Sequence, residues 1–146
     1  MAAHTNETYK GAVFITFSGN CKQALLFYQS CFGGNLKLEP FGKELLEDKE
    51  IIVSGSLYAE HITIHGSDLV HNEGRKLGNY ISVYFGCKDR EEREKLTEKL
   101  IADKKQLLEL KYRDQSLVEL TDAFEVRWVL GLQEKNFRQL KKTCIL

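Results

Sequence analysis

The sequence predicts an α+β chain made of two βαβββ modules, and three observations predict it. A β-branched and aromatic run, Ala12 to Phe17 ("AVFITF"), leads into capping residues and an amphipathic helix. The same order starts again at Tyr80 with "YISVYFG". Setting Asn20 against Asp89 superposes the two beginnings at an offset of 69 residues, close to half of the 146-residue chain. A ferredoxin-like α+β domain without paired modules is the competing architecture, and it predicts no such duplication.

Each element has a local reason. Gly19 and Asn20 break the first strand, and Asn20 with Gln23 three residues on has the form of a capping box. Cys21, Ala24, Leu25, Tyr28, Cys31 and Phe32 recur at helical spacing and share one face. The two glycines that follow, Gly33 and Gly34, let the chain leave the helix without a Cβ clash. "NLKLEP" is a short strand, and "GKELLEDKE" reads as a loop or a single helical turn. Ile51 to Tyr58 and His61 to His65 form a hairpin closed by Ala59 and Glu60. Gly66 to Asn79 shows turn residues without periodicity and reads as the connector between halves. In the second half, Asp89 with Glu92 makes another capping box, and Leu96, Leu100 and Ile101 form the inward stripe of a charged helix. Strands are expected at Gln106 to Leu110, Leu117 to Leu120 and Val126 to Leu132.

Composition narrows the function. Twenty-one basic residues balance twenty-one acidic ones, so the basic excess of a nucleic-acid binder is missing. No apolar run approaches the roughly 18 residues of a spanning helix, and "MAAHTNETYKG" has no signal-peptide core. A soluble cytoplasmic protein with neither nucleic acid nor membrane as partner is expected. The four cysteines make no C-x-x-C pair; Cys21 and Cys31 stand about 15 Å apart on one helix, so buried free thiols are expected.

Four segments in this order carry a resemblance: "FSGNCKQALLFYQSCFGG", "HITIHGSD", "GNYISVYFGCKDREEREKL" and "DAFEVRWVL". Together they make the chain, from Lys10 to Leu132, similar to the PhnB-like branch of the vicinal oxygen chelate superfamily, which includes glyoxalase I, bleomycin-resistance proteins and extradiol dioxygenases. The resemblance implies one domain at 1–132 of two modules, 10–66 and 79–132, whose sheets curl around a shared cavity, usually in a homodimer. Residues 133–146 would be a helical C-terminal extension beyond it. Two departures stand out: relatives often carry an aromatic-Trp-Gly segment where this chain has "LKYRDQSLVEL", and a glycine after Phe124 where this chain has Glu125.

The superfamily's metal enzymes place His, Gln or Glu on the first and last strand of each module. Aligned on this sequence, those positions fall on Val13, at or beside Ser82, and on Val129, none a good donor. His61 and His65, on one straight strand about 13 Å apart, are too distant to share an ion. No metal and no cofactor is therefore expected. Alternation then assigns Val13, Ile15, Phe17, Tyr80, Ser82, Tyr84, Arg127 and Val129 to the cavity face, as a ligand-binding set. Two roles stay open for Arg127: holding a ligand carboxylate or phosphate, or pairing with Glu125 or a subunit neighbour. No nucleophile, base and orienting group can be assembled from spacing, so catalytic residues are unassigned. The expected function is small-molecule binding without the usual metal centre, of an aromatic or acidic ligand. The alternative is a divergent metal-dependent lyase, isomerase or dioxygenase of the glyoxalase superfamily.

Overall fold

The structure is a computed structural model that describes residues 11–41, 51–69, 75–106 and 116–133. It divides into two compact units, Met1–Lys76 and Leu77–Leu146.

The first unit holds β1 (Val13–Thr16), α1 (Cys21–Phe32), β2 (Asn35–Pro40), β3 (Ile52–Tyr58) and β4 (Thr63–Ser67). Its sheet runs in the order β1-β4-β3-β2, with β1 parallel to β4 and the other pairs antiparallel. Parallel neighbours need a long crossover, and α1 with the following strands supplies it. Helix α1 buries Cys21, Ala24, Leu25 and Tyr28 against the sheet, the face its spacing predicts. It ends on Gly33, whose φ of 74° and ψ of −162° belong to a region that only glycine enters freely, rather than to the left-handed helical region.

The second unit holds β5 (Val83–Cys87), α2 (Arg90–Leu100), β6 (Val118–Thr121) and β7 (Arg127–Leu132), with sheet order β5-β7-β6. Here β5 lies parallel to β7, as β1 lies parallel to β4, so both units repeat one strand-helix-strand logic. Helix α2 packs on all three strands through Arg93, Leu96, Thr97 and Leu100.

Several expectations shift. The strand expected from His61 begins only at Thr63; His61 sits exposed in the turn, 3.6 Å from the Glu60 carboxylate, so it does not share a strand face with His65. The connector starts later than Gly66, which with Ser67 belongs to β4. Gln106 is helical where a strand was expected. The rest of that segment, the "GKELLEDKE" stretch at 42–50 and the C-terminal extension from residue 134 lie outside the described residues.

The two helices are capped differently. In α2 the predicted box forms: the Asp89 carboxylate accepts from the Glu92 amide at 2.9 Å, and Glu92 accepts from the Lys88 amide at 2.6 Å. In α1 Asn20 makes no side-chain cap. The cap comes from Asp68, which accepts from the amides of Gly19 at 2.7 Å and Cys21 at 3.0 Å while its other oxygen accepts from Ile52 at 3.0 Å.

Asp122 does similar work in the β6–β7 turn, accepting from the amides of Phe124 at 2.8 Å and Val126 at 3.1 Å and from the Trp128 indole at 2.9 Å. That turn forces Glu125 to a φ of 69°. A left-handed residue with a Cβ costs about 1–2 kcal/mol. Glu125→Gly is accordingly expected to stabilise the protein by about 1 kcal/mol, read as a higher midpoint in urea unfolding.

Candidate functional site

Each sheet has one face under its helix and one face open. In the first sheet a Cβ on Gly66 would meet the Phe17 ring at 2.9 Å and the Cys21 sulfur at 3.2 Å, and one on Gly55 would meet Leu25 at 2.5 Å. Those glycines therefore mark the helix side. Ile15 stands opposite Gly66 in register, and Val13, Ile15 and Phe17 alternate onto that same side. Ile15 is buried and Phe17 fully so. The three were expected to line a ligand face; instead they fall on the helix side, where Ile15 and Phe17 are buried and Val13 is half-buried.

The reason is a change of register between the repeats. The caps superpose at an offset of 69, which equates Ile15 with Tyr84, but Ile15 faces the helix and Tyr84 faces out. Phe14 is the true counterpart of Tyr84. The link from β1 to α1 is longer than that from β5 to α2 and includes Gly19 at a φ of 109°. A slip of one residue exchanges the faces of a whole strand.

The open side of the first sheet carries a row in direct register across all four strands: Phe14, His65, Ser56 and Lys37. Phe14 is 64% exposed, unusual for a phenylalanine in a sheet. The Ser56 hydroxyl and the His65 Nδ1 lie 2.7 Å apart. Tyr58 meets the imidazole edge-on, with ring centres 5.9 Å apart and planes at 80°, and the Lys37 ammonium sits 5.9 Å from the Tyr58 ring centre. The histidine is thus held on two sides by its neighbours. Of this row only His65 stands out in the sequence; the polar and apolar alternation of "SGSLY" and "TIHGS" was the available signal for the rest.

The second sheet's open side holds Tyr84, Arg127 and Val129, as alternation predicts. Tyr80 and Ser82 precede β5, Tyr80 being 87% exposed, so neither belongs to the sheet. The Tyr84 hydroxyl lies on Gly131, where a Cβ would strike it, so the ring covers its own strand pair. Partial burial, and then Cys87, push the Tyr84 phenol above its ordinary pKa, keeping it a protonated donor. Arg127 pairs with Glu119 across the strands at 2.7 Å rather than with Glu125, which settles its intramolecular partner.

Register also identifies where a first and a last strand face each other on the open side: Phe14 with His65, and Tyr84 with Val129. Neither pair, an imidazole beside a phenyl ring in the first unit and a phenol beside an isopropyl group in the second, is by itself the donor set of an ion. Among the described residues no three His, Cys, Asp or Glu side chains cluster to hold a metal. The two buried thiols are poor nucleophiles: Cys21 is pushed up to about 12 by burial and then by Asp68, and Cys87 to about 11 by burial and then chiefly by Glu92.

Two solved structures share this arrangement. A PhnB protein of Bacillus cereus, titled a putative 3-demethylubiquinone-9 3-methyltransferase, is 18% identical with a TM-score of 0.60, over 86% of this chain and 100% of that one. Protein PA1353 of Pseudomonas aeruginosa is 22% identical with a TM-score of 0.63, over 86% of this chain and 98% of that one. The chain has their fold. At these identities the likeness reaches the fold and stops there, which is the level at which it matches the resemblance read from the sequence. No family model matches the sequence, and no curated protein does. Among the described residues, no helix is long and apolar enough to cross a membrane.

Proposed function

We propose that this chain binds a small aromatic or acidic molecule on an open sheet face, without the metal centre used by the superfamily's enzymes. One observation carries the reading: on the open face the residue beside His65 on β1 is the exposed hydrocarbon Phe14, and among the described residues no three His, Cys, Asp or Glu side chains gather around that imidazole. A surface of rings with a few oriented polar groups is what a small ligand requires. In the same reading the protein works in the cytoplasm as a homodimer whose partner is a small molecule, and its sheets curl as the resemblance implies.

A thermal-shift screen against aromatic antibiotics, thiol adducts and small organic acids tests this. A ligand present at about 100 times its dissociation constant adds roughly 2.7 kcal/mol, which for a chain of this size raises the melting temperature by several degrees. At least one class is expected to do so. Near-stoichiometric nickel, zinc, iron or manganese in the purified protein, with an activity lost on chelation, would establish the metal-dependent alternative instead.

A further inference from the structure

We propose that the ligand is an aromatic monocarboxylate and that it lies on the first sheet, across the row Phe14, His65, Ser56 and Lys37. This rests on the binding function proposed above and names its ligand class and place.

The row contains the parts such a molecule needs, in order. At one end the Phe14 ring is exposed, and at the other is the Lys37 ammonium. Strands spaced about 4.8 Å apart put the backbones of Phe14 and Lys37 roughly 14 Å apart, with His65 and Ser56 between them. Between them stands the His65 imidazole, oriented by Ser56 and by the edge of Tyr58. In the tautomer in which Nδ1 accepts from the Ser56 hydroxyl, Nε2 carries the proton and can donate to a carboxylate.

Charge limits the number of negative groups. Among the described residues the same face presents Lys37, His65 and, further along β2, the exposed carboxylate of Glu39 opposite Ser54. One ammonium and one imidazole donor can hold a single carboxylate, while the Glu39 carboxylate on the same face disfavours a phosphate dianion. Aromatic rings supply the remaining contact, Phe14 by its face and Tyr58 beside the ammonium. The second sheet is the poorer host, because its guanidinium is paired through one terminal nitrogen with Glu119, whose carboxylate would repel an anion, and its tyrosine lies on Gly131.

Isothermal titration of the full chain with benzoate and 4-hydroxybenzoate tests the inference, with benzamide and cyclohexanecarboxylate as neutral and non-aromatic comparators. Both benzoates are expected to bind at one per chain, and each comparator about tenfold or more weaker. Lys37→Gln and His65→Gln, shown folded by their melting curves, are each expected to weaken benzoate about tenfold, whereas Lys95→Gln, on the exposed side of α2, leaves it unchanged. Binding that survives His65→Gln and falls with Arg127→Gln places the ligand on the second sheet and overturns the inference. If no benzoate binds but the broader screen finds another ligand, the inference fails and the binding function stands. If nothing in either set binds, both fail.

Discussion

Asp68→Ala is expected to cost about 3–6 kcal/mol of folding free energy, a large part of the 5–15 kcal/mol typical of a domain. The carboxylate is 8% exposed and accepts from three amides belonging to three parts of the chain: Gly19 before α1, Cys21 at its first turn and Ile52 at the start of β3. Asp68 is tied in return through its own amide, which donates to the Ile52 carbonyl at 2.8 Å. Removing the side chain leaves buried donors without acceptors, and each such donor costs about 1–3 kcal/mol. The first turn of α1 also loses a negative charge at its positive end. Asp68→Asn keeps an oxygen for some of these amides and is expected to cost about half as much. Urea unfolding followed by circular dichroism reads both; a loss below about 1 kcal/mol for the alanine variant would show that the three bonds do not hold the unit together.

That clasp also shows what the sequence could and could not reveal. The α2 cap is legible because donor and acceptor lie three residues apart, and Asp89 with Glu92 forms as read. The α1 cap is not legible, because its acceptor stands 47 residues from the amide of Cys21 and local spacing points to Asn20. Strand and helix positions were legible from periodicity, and the order of the first five elements followed from them. The faces of the expected site residues were legible for one sheet only: Tyr84, Arg127 and Val129 lie on an open face, while Val13, Ile15 and Phe17 lie on the helix side. A repeat aligned through its helices carries no information about an unequal link beside a strand, and one residue is enough to exchange faces. Phe14, Ser56, Lys37 and Tyr58 come together only through register, which pairs strands distant in sequence.

The glycines that end α1 lead to the second large effect. Gly34→Ala is expected to cost more than about 3 kcal/mol, because two penalties act together. The residue has a φ of 98°, where an L side chain costs about 1–2 kcal/mol. A Cβ built there would also strike the Tyr58 carbonyl oxygen and lie 2.6 Å from the Ala59 Cα. Both obstacles are backbone, in the segment where β3 turns toward β4, so no side-chain rotation relieves them. Relief would require β2 to move away from β3 at Asn35, the residue paired with Tyr58, and that would open the end of the antiparallel ladder. Gly19→Ala provides the comparison. Its φ of 109° imposes a similar conformational cost, but a Cβ there meets nothing within 4 Å. The difference in unfolding free energy between the two variants isolates the steric part, expected at about 2 kcal/mol or more. Equal losses would mean that the close approach of the helix exit to the β3–β4 turn is not maintained in solution, and the short passage from Phe32 to Asn35 would need another explanation.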